Sequence, residues 1–400
     1  MGRIFTPAEN DFGKTDAVVI GGGIVGTATA FWLSRAGLDV VLVEMRDGLS
    51  TLTTPASAEC FRAQFAEPAM AELAIPSIEM FERFEEVIGI PGYGISIKQQ
   101  GYLFLTDNPQ TVGDLKENVA QQHQLGVTDS EYLEREEILT RFPFISSSVL
   151  AATFRQRDGW LSCHETTQGF AKGCEARFFI NTKTTGIQTD KKGICRVETD
   201  RGNLQARLVV NAAGPFAAEI GRMVNLELPL EPVRRQKVYL KTSVAIPQEA
   251  PFTVDVENNS YWRPEPGGVI LGWVDSDEPV SQPSEKVHTD WEFPAIALDK
   301  VKRMTPLFAE VEKSVRQPDM NTSAGHYVYT PDDQPLIGPV PEVPGFYVNC
   351  GYWAGVMLSP QAGKRIGELV TGKLDPKENP LRPTRFKEGL GKKGKTLMSH

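Results

Sequence analysis

Long apolar runs, paired cysteines and basic clusters are all scarce in this chain of 400 residues. Its five cysteines are odd in number and form no C-x-x-C pair, which argues against a disulfide framework or a zinc site. No apolar run reaches the roughly 18 residues that a membrane span needs. The first residues, 1–7, also lack the apolar core of a signal peptide. We therefore expect a soluble, cytoplasmic protein that binds no metal.

The charge balance narrows the range of partners. The chain has 42 basic and 51 acidic residues, for a formal net charge of −9. Its one basic run, Lys392-Lys393-Gly394-Lys395, lies in the C-terminal tail. A nucleic acid or an anionic membrane surface is therefore not an expected partner. At about 100–200 residues per domain, the length predicts two domains.

The strongest local pattern is a glycine-rich turn near the N-terminus. Apolar residues 17–20 predict a short buried strand, and residues 24–35 predict an apolar helix. Between them, Gly21, Gly23 and Gly26 have the G-x-G-x-x-G spacing. In such a turn the glycines allow a sharp bend, close approach of a pyrophosphate, and tight packing of helix on strand. The N–H groups at the helix start favour phosphate charge.

A second predicted strand, residues 39–43, ends at Glu44. An acidic residue at that place can hold the two hydroxyls of an adenosine ribose. The glycine spacing alone is also compatible with an ordinary turn. The strand, helix, second strand and acid together predict a dinucleotide-binding unit.

Later segments predict further parts of the same site. Residues 50–64 are rich in hydroxyl and small side chains, which suit either a surface loop or a ligand-binding loop. Residues 208–214 predict a buried strand that returns to the nucleotide-binding sheet, and residues 231–273 predict β structure. For the last helix, we expect Ser359 as the N-cap, Pro360 at the first position and Gly372 after the end.

Several short motifs, taken in their order along the chain, point to a known family. They are Gly21–Gly26 with Glu44, Asn211–Phe216, Pro232–Gln236, Gly325–Asp332, Pro335–Gly338, Pro344–Tyr347, Cys350–Gly351 and Gly355–Pro360. Over residues 16–375 the chain resembles the D-amino-acid oxidase-like family of FAD enzymes. That family includes glycine oxidase, sarcosine oxidase and dye-linked proline dehydrogenase. The choice of FAD over NAD comes from this resemblance.

The resemblance implies an α/β fold with an α+β second domain. The first is a Rossmann-like FAD-binding domain of the glutathione-reductase type, interrupted in sequence and formed by residues 1–90, 145–215 and 325–380. The second is an inserted substrate domain with a mixed β-sheet, formed by residues 91–144 and 216–324. Residues 381–400 remain as a tail.

The resemblance also implies the residues that hold the cofactor. They are Gly21, Gly23, Ile24, Val25, Gly26, Glu44, Met45, Arg46, Thr53, Thr54, Ser57, Ala212, Ala213, Gly214, Gly325, Gly355, Val356, Met357 and Leu358. Gly325 stands near the place where monomeric sarcosine oxidase attaches its flavin to a cysteine, so we expect FAD to be bound non-covalently. The N–H groups of residues 355–358, ahead of the predicted helix, are expected to stabilise charge on the reduced flavin. A plain structural cap is the alternative.

For the substrate, the resemblance points to three side chains. Arg62 matches an arginine that follows the hydroxyl-rich loop, and its guanidinium suits a carboxylate through two parallel hydrogen bonds. An exposed ion-paired arginine is the alternative. Tyr261 matches a tyrosine on the substrate side of glycine oxidase. Tyr327 occupies the position of that enzyme's carboxylate-binding arginine. Both could position substrate, although packed aromatic side chains are an equal alternative.

The implied reaction transfers a hydride from a carbon next to nitrogen to flavin N5 and gives an imine. The lost arginine at Tyr327 favours secondary or N-alkyl amino acids of the sarcosine or proline type. Ile270 replaces the lysine that serves oxygen in sarcosine oxidases, so we expect a dehydrogenase with another, unknown electron acceptor. A homo-oligomer or a hetero-complex subunit is compatible with this. The alternatives are a 2-hydroxy-acid dehydrogenase on the same scaffold and a non-catalytic flavin-bearing subunit or assembly factor.

Overall fold

A computed structural model describes residues 1–391 of the chain. The predicted basic run at residues 392–395 and the end of the predicted tail lie outside the described residues. Within the described part, no helix is long and apolar enough to cross a membrane. The same residues contain no group of three or more acidic, histidine or cysteine side chains placed to hold a metal ion.

Strands and helices are distributed along the whole of residues 1–391 and are joined by loops. The strands are β1 Arg3–Phe5, β2 Ala17–Ile20, β3 Val40–Val43, β4 Cys60–Phe61, β5 Tyr102–Thr106, β6 Glu131–Glu134, β7 Ala151–Arg155, β8 Gly159–Trp160, β9 Arg177–Phe179, β10 Thr184–Asp190, β11 Gly193–Thr199, β12 Gly202–Gln205, β13 Leu208–Asn211, β14 Glu231–Lys241, β15 Phe252–Asp255, β16 Ser260–Glu265, β17 Gly268–Trp273, β18 Met320–Tyr329, β19 Leu336–Pro339 and β20 Phe346–Cys350. The α-helices are α1 Ile24–Arg35, α2 Thr53–Ala56, α3 Pro68–Glu82, α4 Phe84–Ile88, α5 Pro109–Gln124, α6 Arg135–Arg141, α7 Cys163–Lys172, α8 Ala217–Arg222, α9 Phe293–Lys302, α10 Phe308–Ser314 and α11 Gly355–Val370.

The predicted nucleotide-binding unit is at the centre of a seven-stranded sheet. The strand order is β1-β9-β3-β2-β13-β20-β19. All neighbouring strands are parallel except β19 and β20, which are antiparallel. The predicted β2–α1–β3 unit is confirmed, and so is the return of β13 to this sheet, where it pairs with β2 and β20. The α/β fold class is therefore confirmed.

Both faces of this sheet are covered, which explains why its strands are continuously apolar. Ala17 and Val19 of β2 face a core that includes residues of α1, α3, α7 and α11. Val18 and Ile20 point the other way, into a core formed with α8 and the small sheet β10-β11-β12. The carboxyl end of β2, where the glycine turn begins, therefore lies at the edge of the buried seven-stranded sheet.

A second sheet has eight strands in the order β18-β14-β17-β16-β15-β5-β7-β6. Its pairs are antiparallel except β15 with β5, so the predicted mixed sheet is confirmed. One face packs against α9 and α10 through Trp262 and Leu271. Aromatic residues of the same sheet, including Tyr102 and Tyr261, form a cluster with Ala58 of the hydroxyl-rich loop. This cluster brings the second sheet up to the end of the cavity described below.

The predicted domain boundaries stay a prediction. The strand positions show where the chain passes between the two large sheets: β7, within the predicted 145–215 segment, pairs in the eight-stranded sheet. Strand β18 crosses the proposed boundary at residue 325. Leu381 in the predicted tail is fully buried, so the part of that tail that the structure describes packs against the fold.

Helices α1 and α11 pack closely because glycine faces backbone at their crossing. A Cβ atom on Gly363 would lie 2.7 Å from the carbonyl carbon and oxygen of Ala28. One turn later, a Cβ on Gly367 would lie 3.5 Å from its nearest neighbour, Trp32 O, which is an ordinary contact. The two glycines on one helix therefore have opposite tolerance for a methyl group.

We predict that Gly363→Ala lowers stability, because the two helix backbones must separate to admit the methyl group. Overpacking of this kind costs about 1–3 kcal/mol. Gly367→Ala is the matched control, and its higher helix propensity should leave stability unchanged or raise it by up to about 1 kcal/mol. Thermal denaturation of both variants beside the wild type measures the difference. Equal melting temperatures for the two variants would contradict the close contact at Gly363.

Candidate cofactor and substrate site

Two of the three glycines in the glycine turn lie so close to other backbone atoms that a side chain could not be accommodated. Gly21 has φ +112°, and a Cβ there would overlap the carbonyl of Ala212 at the end of β13. A Cβ on Gly26 would overlap Gly21 O, so this glycine lets α1 pack onto the turn. Gly23 differs, because a Cβ there would meet only Thr54 Oγ1, at 3.3 Å. The space above Gly23 belongs to a large cavity.

This cavity, which we call the central cavity, together with the open space at its mouth contains about 1080 Å³ not filled by protein atoms. Most residues predicted to bind the cofactor line it. They are Gly21, Gly23, Ile24, Val25, Glu44, Met45, Arg46, Thr53, Thr54, Ser57, Ala212, Ala213, Gly214, Gly355, Val356 and Met357.

The other three predicted cofactor residues do not line the central cavity. Gly26 packs inside the turn as described above. Gly325 of β18 faces α2, since a Cβ there would lie 3.0 Å from the Cβ of Ala56. Leu358 has no solvent exposure and belongs to the core. These three residues lie behind the cavity wall and pack against the residues that form its surface.

Glu44 is held in place by backbone donors. Gly22 N donates to its Oε2 at 2.6 Å, and Arg46 N donates to its Oε1 at 2.8 Å. Burial raises the pKa of this carboxyl, whereas the two backbone hydrogen bonds act to lower it. Nearby, the Arg46 side chain forms a 3.6 Å ion pair with Glu285, from the loop after β17. The acidic residue at the end of β3 is therefore oriented where ribose hydroxyls could reach it.

The predicted start of the last helix is wrong. Helix α11 begins at Gly355, with Ala354 as its N-cap, and Pro360 lies inside the helix. Proline has no N–H to donate to the carbonyl four residues earlier. Ser359 Oγ donates to that carbonyl, Val356 O, at 3.0 Å instead of capping the helix. Residues 355–358 therefore form the first turn of α11, and their N–H groups have no acceptor within the helix.

The donors and hydroxyls of the central cavity fit FAD, the cofactor that the resemblance implies. The first turns of α1 and α11 contribute N–H groups and the positive ends of two helix dipoles. Thr53 Oγ1 and His326 Nδ1 are buried and have no hydrogen-bond partner among the described residues. A polar ligand would satisfy these atoms, which are costly to leave unpaired.

Two cysteines, Cys60 and Cys350, also line the central cavity. Burial raises the pKa of the Cys350 thiol to about 12 and also raises that of Cys60. Both side chains are therefore protonated thiols at neutral pH, and thiols are weak nucleophiles. This favours the predicted non-covalent attachment of the cofactor.

Arg62 is buried, with 2% of its surface exposed, and lies next to the cavity wall without lining it. Its Nη1 donates to Gln64 O. Its guanidinium carbon lies 4.2 Å from the ring centre of Phe65 and 5.1 Å from that of Phe104. The ring of Trp353, which does line the cavity, is 5.8 Å away. The predicted exposed alternative is therefore wrong, and a buried cation lies one side chain behind the cavity.

The two predicted tyrosines have different places. Tyr327 lines the central cavity beside His326, whereas Tyr261 is stacked on Phe252 with ring centres 5.3 Å apart and does not line it. Burial raises the pKa of both phenols and lowers that of His326. At neutral pH this end of the cavity therefore presents neutral tyrosine and histidine side chains.

A network missed by sequence reasoning fixes the hydroxyl-rich loop. Lys237 Nζ of β14 donates to Pro55 O at 2.9 Å and also to Ser57 O. Arg263 Nε of β16 donates to Ala58 O at 3.2 Å. Ile270, at the predicted lysine position, is buried in β17 and does not line the cavity. A lysine thus does approach the site, from a different strand, and it binds the loop backbone.

Trp353 was also not identified as a functional residue from the sequence. Its aromatic neighbour, Tyr352, lines the cavity as well. A signal for both residues is present in the sequence, because two bulky aromatic residues stand between Gly351 and Gly355 in a loop of otherwise small residues just before a helix.

We predict that Gly23→Val abolishes cofactor binding while the fold persists. The backbone at Gly23 has φ −72° and ψ 176°, which valine adopts readily, so the apoprotein should tolerate it. The two methyl groups would occupy the space that a pyrophosphate needs. Purified wild type should be yellow and release its FAD into the supernatant on acid precipitation. The variant should be colourless with a similar apoprotein melting temperature, and Gly367→Ala should keep the colour.

A Gly23→Val protein with full FAD content would show that the glycine turn is not the phosphate site. Colour retained in the wild-type precipitate would show a covalent link. The two outcomes are independent of each other.

Comparisons with known proteins agree with this site. A model of the family described as FAD dependent oxidoreductase matches residues 16–369. The crystal structure of L-proline dehydrogenase from P. horikoshii is similar, with a TM-score of 0.83 and 28% identity over 94% of this chain and 98% of that one. Glycine oxidase from Bacillus cereus has the same fold, with a TM-score of 0.78 and 20% identity over 96% of this chain and 99% of that one.

The mitochondrial dimethylglycine dehydrogenase of Homo sapiens is 28% identical over 381 residues, which cover 89% of this chain and 42% of that protein. The mitochondrial sarcosine dehydrogenase of Homo sapiens is also 28% identical, over 89% of this chain and 39% of that protein. This chain therefore spans less than half the length of these relatives. Because the family match extends over most of the chain and coincides with the glycine turn, the cavity and α11, the chain belongs to the FAD dependent oxidoreductase family, and its cofactor is FAD.

Proposed function

We propose that this chain oxidises the carbon–nitrogen bond of a small secondary or N-alkyl amino acid, of the sarcosine or proline type, and yields an imine. The observation that carries this proposal is the buried guanidinium of Arg62 next to a cavity that fits FAD. A carboxylate is the partner that such a cation suits best. The names of the similar proteins, proline, dimethylglycine and sarcosine dehydrogenases, support the substrate class.

Each part of the site has a role in this proposal. When bound, FAD supplies the electron-accepting chemistry. The first turn of α11 stabilises negative charge near the cofactor through its N–H groups. Tyr327 offers a protonated hydroxyl to the substrate. The substrate amine loses its proton on entering this partly desolvated end of the cavity, because burial disfavours the ammonium form.

Access to Arg62 involves Trp353. The guanidinium does not line the cavity, and the Trp353 ring does. A carboxylate contact therefore requires the Arg62 side chain to reach past the edge of the Trp353 ring, which keeps its place, when substrate enters. Desolvation by the surrounding rings would strengthen the contact once it forms, since charge interactions are stronger in a low dielectric. Tyr261 acts behind this surface through its stacking on Phe252.

We further propose a dehydrogenase that passes electrons to an acceptor other than oxygen. Ile270 supplies no cation, and Lys237 is bound to the carbonyls of the loop that contains Pro55 and Ser57. The acceptor, and any homo-oligomer or partner subunit, stay predictions from the sequence, as do the two-domain division and the cytoplasmic location.

The proposal is tested by adding candidate substrates anaerobically and following loss of the visible absorption of oxidised FAD. The panel contains sarcosine, N,N-dimethylglycine, L-proline, glycine and two 2-hydroxy acids. Bleaching by the secondary or N-alkyl amino acids supports the proposal, and reoxidation should be faster with an artificial dye than with air. Bleaching by hydroxy acids alone would assign the 2-hydroxy-acid reaction. No bleaching by any compound would leave a flavin-bearing, non-catalytic role.

We predict that Arg62→Met sharply lowers kcat/KM for the amino acid substrate. Removing one partner of a desolvated charge pair costs about 2–5 kcal/mol, or roughly 30- to 5,000-fold in kcat/KM. Methionine is chosen because it fills the aromatic cage, so the fold should survive better than with alanine. Arg62→Lys should recover only part of the activity, since a point charge lacks the planar fork.

Two controls separate binding of the carboxylate from general damage. Arg157→Met removes an arginine whose 2.7 Å ion pair with Glu82 is outside the site, and its kinetics should match the wild type. An amine without the carboxylate should react equally with wild type and Arg62→Met. Unchanged amino acid kinetics in Arg62→Met, at full FAD content, would remove Arg62 from the substrate site.

A further inference from the structure

The C-terminal segment, residues 379–390, lies beyond the family match and is built into the edge of the seven-stranded sheet. Asn379 Nδ2 donates to Ile337 O of β19 at 2.6 Å, and Ile337 N donates to Leu381 O at 2.9 Å. Leu381 has no solvent exposure. This segment therefore packs as part of the fold and can act on its interior.

Its one deeply buried charge is Arg385, which is paired with Asp332. The two side chains are 3% and 2% exposed. Nε donates to Oδ2 at 2.7 Å and Nη2 donates to Oδ1 at 2.8 Å, so the pair is bidentate. Nη2 also donates to Gln334 O at 2.8 Å. A buried carboxylate that loses such a partner is left uncompensated, so Asp332 depends on Arg385.

Asp332 in turn organises the tight turn of residues 330–334, which follows β18. Its Oδ1 accepts from Thr330 Oγ1 at 3.0 Å and from Gln334 N at 3.2 Å. Asp333 N donates to Thr330 O at 3.0 Å, and Asp333 has φ +58°, a left-handed conformation that is uncommon outside glycine. The ion pair therefore holds Asp332 and, through its hydrogen bonds, both ends of the 330–334 turn.

The turn reaches the central cavity through one hydrogen bond. Trp353 Nε1 donates to Asp333 O at 2.9 Å. The Trp353 ring lines the cavity and lies 5.8 Å from the Arg62 guanidinium carbon and 6.1 Å from the Phe65 ring centre. The orientation of this indole thus depends on where the Asp333 carbonyl points.

We propose that Arg385 is a positioning residue for the substrate end of the site. It acts through Asp332 and the 330–334 turn to fix the indole of Trp353 beside Arg62. The part of this inference that concerns substrate rests on the proposed function, whereas the link from Arg385 to Trp353 does not. The hydrogen bonds that hold Glu44 come from Gly22 N and Arg46 N, outside this chain of residues, so binding of the adenosine end of the cofactor is expected to be independent of it.

The link is tested without substrate by ¹⁹F NMR of protein labelled with 5-fluorotryptophan. The chain has six tryptophans, and Trp353→Phe assigns the Trp353 signal. Arg385→Met should shift or broaden that signal and leave the Trp262 signal in place. Arg385→Lys should have a smaller effect. Lys387→Ala, which removes an exposed ion pair with Glu342 in the same segment, is the matched control and should change nothing.

An unchanged Trp353 signal in Arg385→Met would overturn the proposal. If that variant does not fold, Arg385→Lys and Asp332→Asn provide the same comparison. A shift of all six signals would also overturn it, because the effect would then be general unfolding of the chain and not a specific link.

Kinetics then test the role in substrate binding, measured per bound FAD. Trp353→Phe keeps a smaller aromatic ring and loses the N–H donor, and should raise KM by about three- to tenfold, the scale of one hydrogen bond. Arg385→Met should raise KM similarly with a smaller change in kcat, and the double variant should be no worse than the worse single one. Additive effects would overturn the pathway through Trp353. A wild type that oxidises no amino acid would reject the proposed function, while the NMR comparison would still decide the link.

Discussion

The close approach of three backbones at the glycine turn is the constraint on which the site depends. Any side chain at Gly21 would overlap the end of β13, and any side chain at Gly26 would overlap the turn itself. Helix α11 approaches α1 as closely through Gly363. Because these contacts are made by backbone atoms, the first turns of both helices are fixed at the cavity. The N–H groups of these turns are therefore oriented before any cofactor arrives, and Ile24 N already donates to Thr54 Oγ1 at 3.3 Å.

The other side of the cavity is held by two cations of the second sheet, the buried Arg263 and the half-buried Lys237. Lys237 and Arg263 donate from the eight-stranded sheet to carbonyls of the hydroxyl-rich loop. A buried charge is costly unless it is paired and hydrogen-bonded, so the loop and the sheet cannot separate without exposing unsatisfied groups. Burial lowers the pKa of Lys237, as expected for an ammonium group partly removed from water. The loop that brings Thr53 and Ser57 to the cavity thus has its position set by the second sheet.

Sequence reasoning succeeded where the determinants are local. The bounds of α1 follow from apolar periodicity and glycine spacing, and the strand β13 follows from its apolar run, although its position between β2 and β20 does not. It failed at the start of α11. Ser359 and Pro360 match the residue preferences of a helix start, but they lie inside the helix, where Ser359 Oγ donates to Val356 O. It could not find the Arg385–Asp332 pair or the Trp353–Asp333 bond, because no short-range pattern links residues that far apart. The substrate role of Arg62 stays a prediction, although its burial is now established.

The two ends of the central cavity also differ in which residues can be exchanged without disturbing the backbone. The cofactor end is built from short motifs in which Gly21 and Gly26 leave no room for a side chain, and Gly23 leaves its space to the cavity. The substrate end is built from side chains of four separate segments, with Arg62, Tyr102, Tyr327 and Trp353 among them. Arg62 is desolvated by these rings when the protein folds. A carboxylate that reached it would therefore meet a guanidinium already removed from water and held by Gln64 O, in surroundings of low dielectric that strengthen charge-assisted hydrogen bonds.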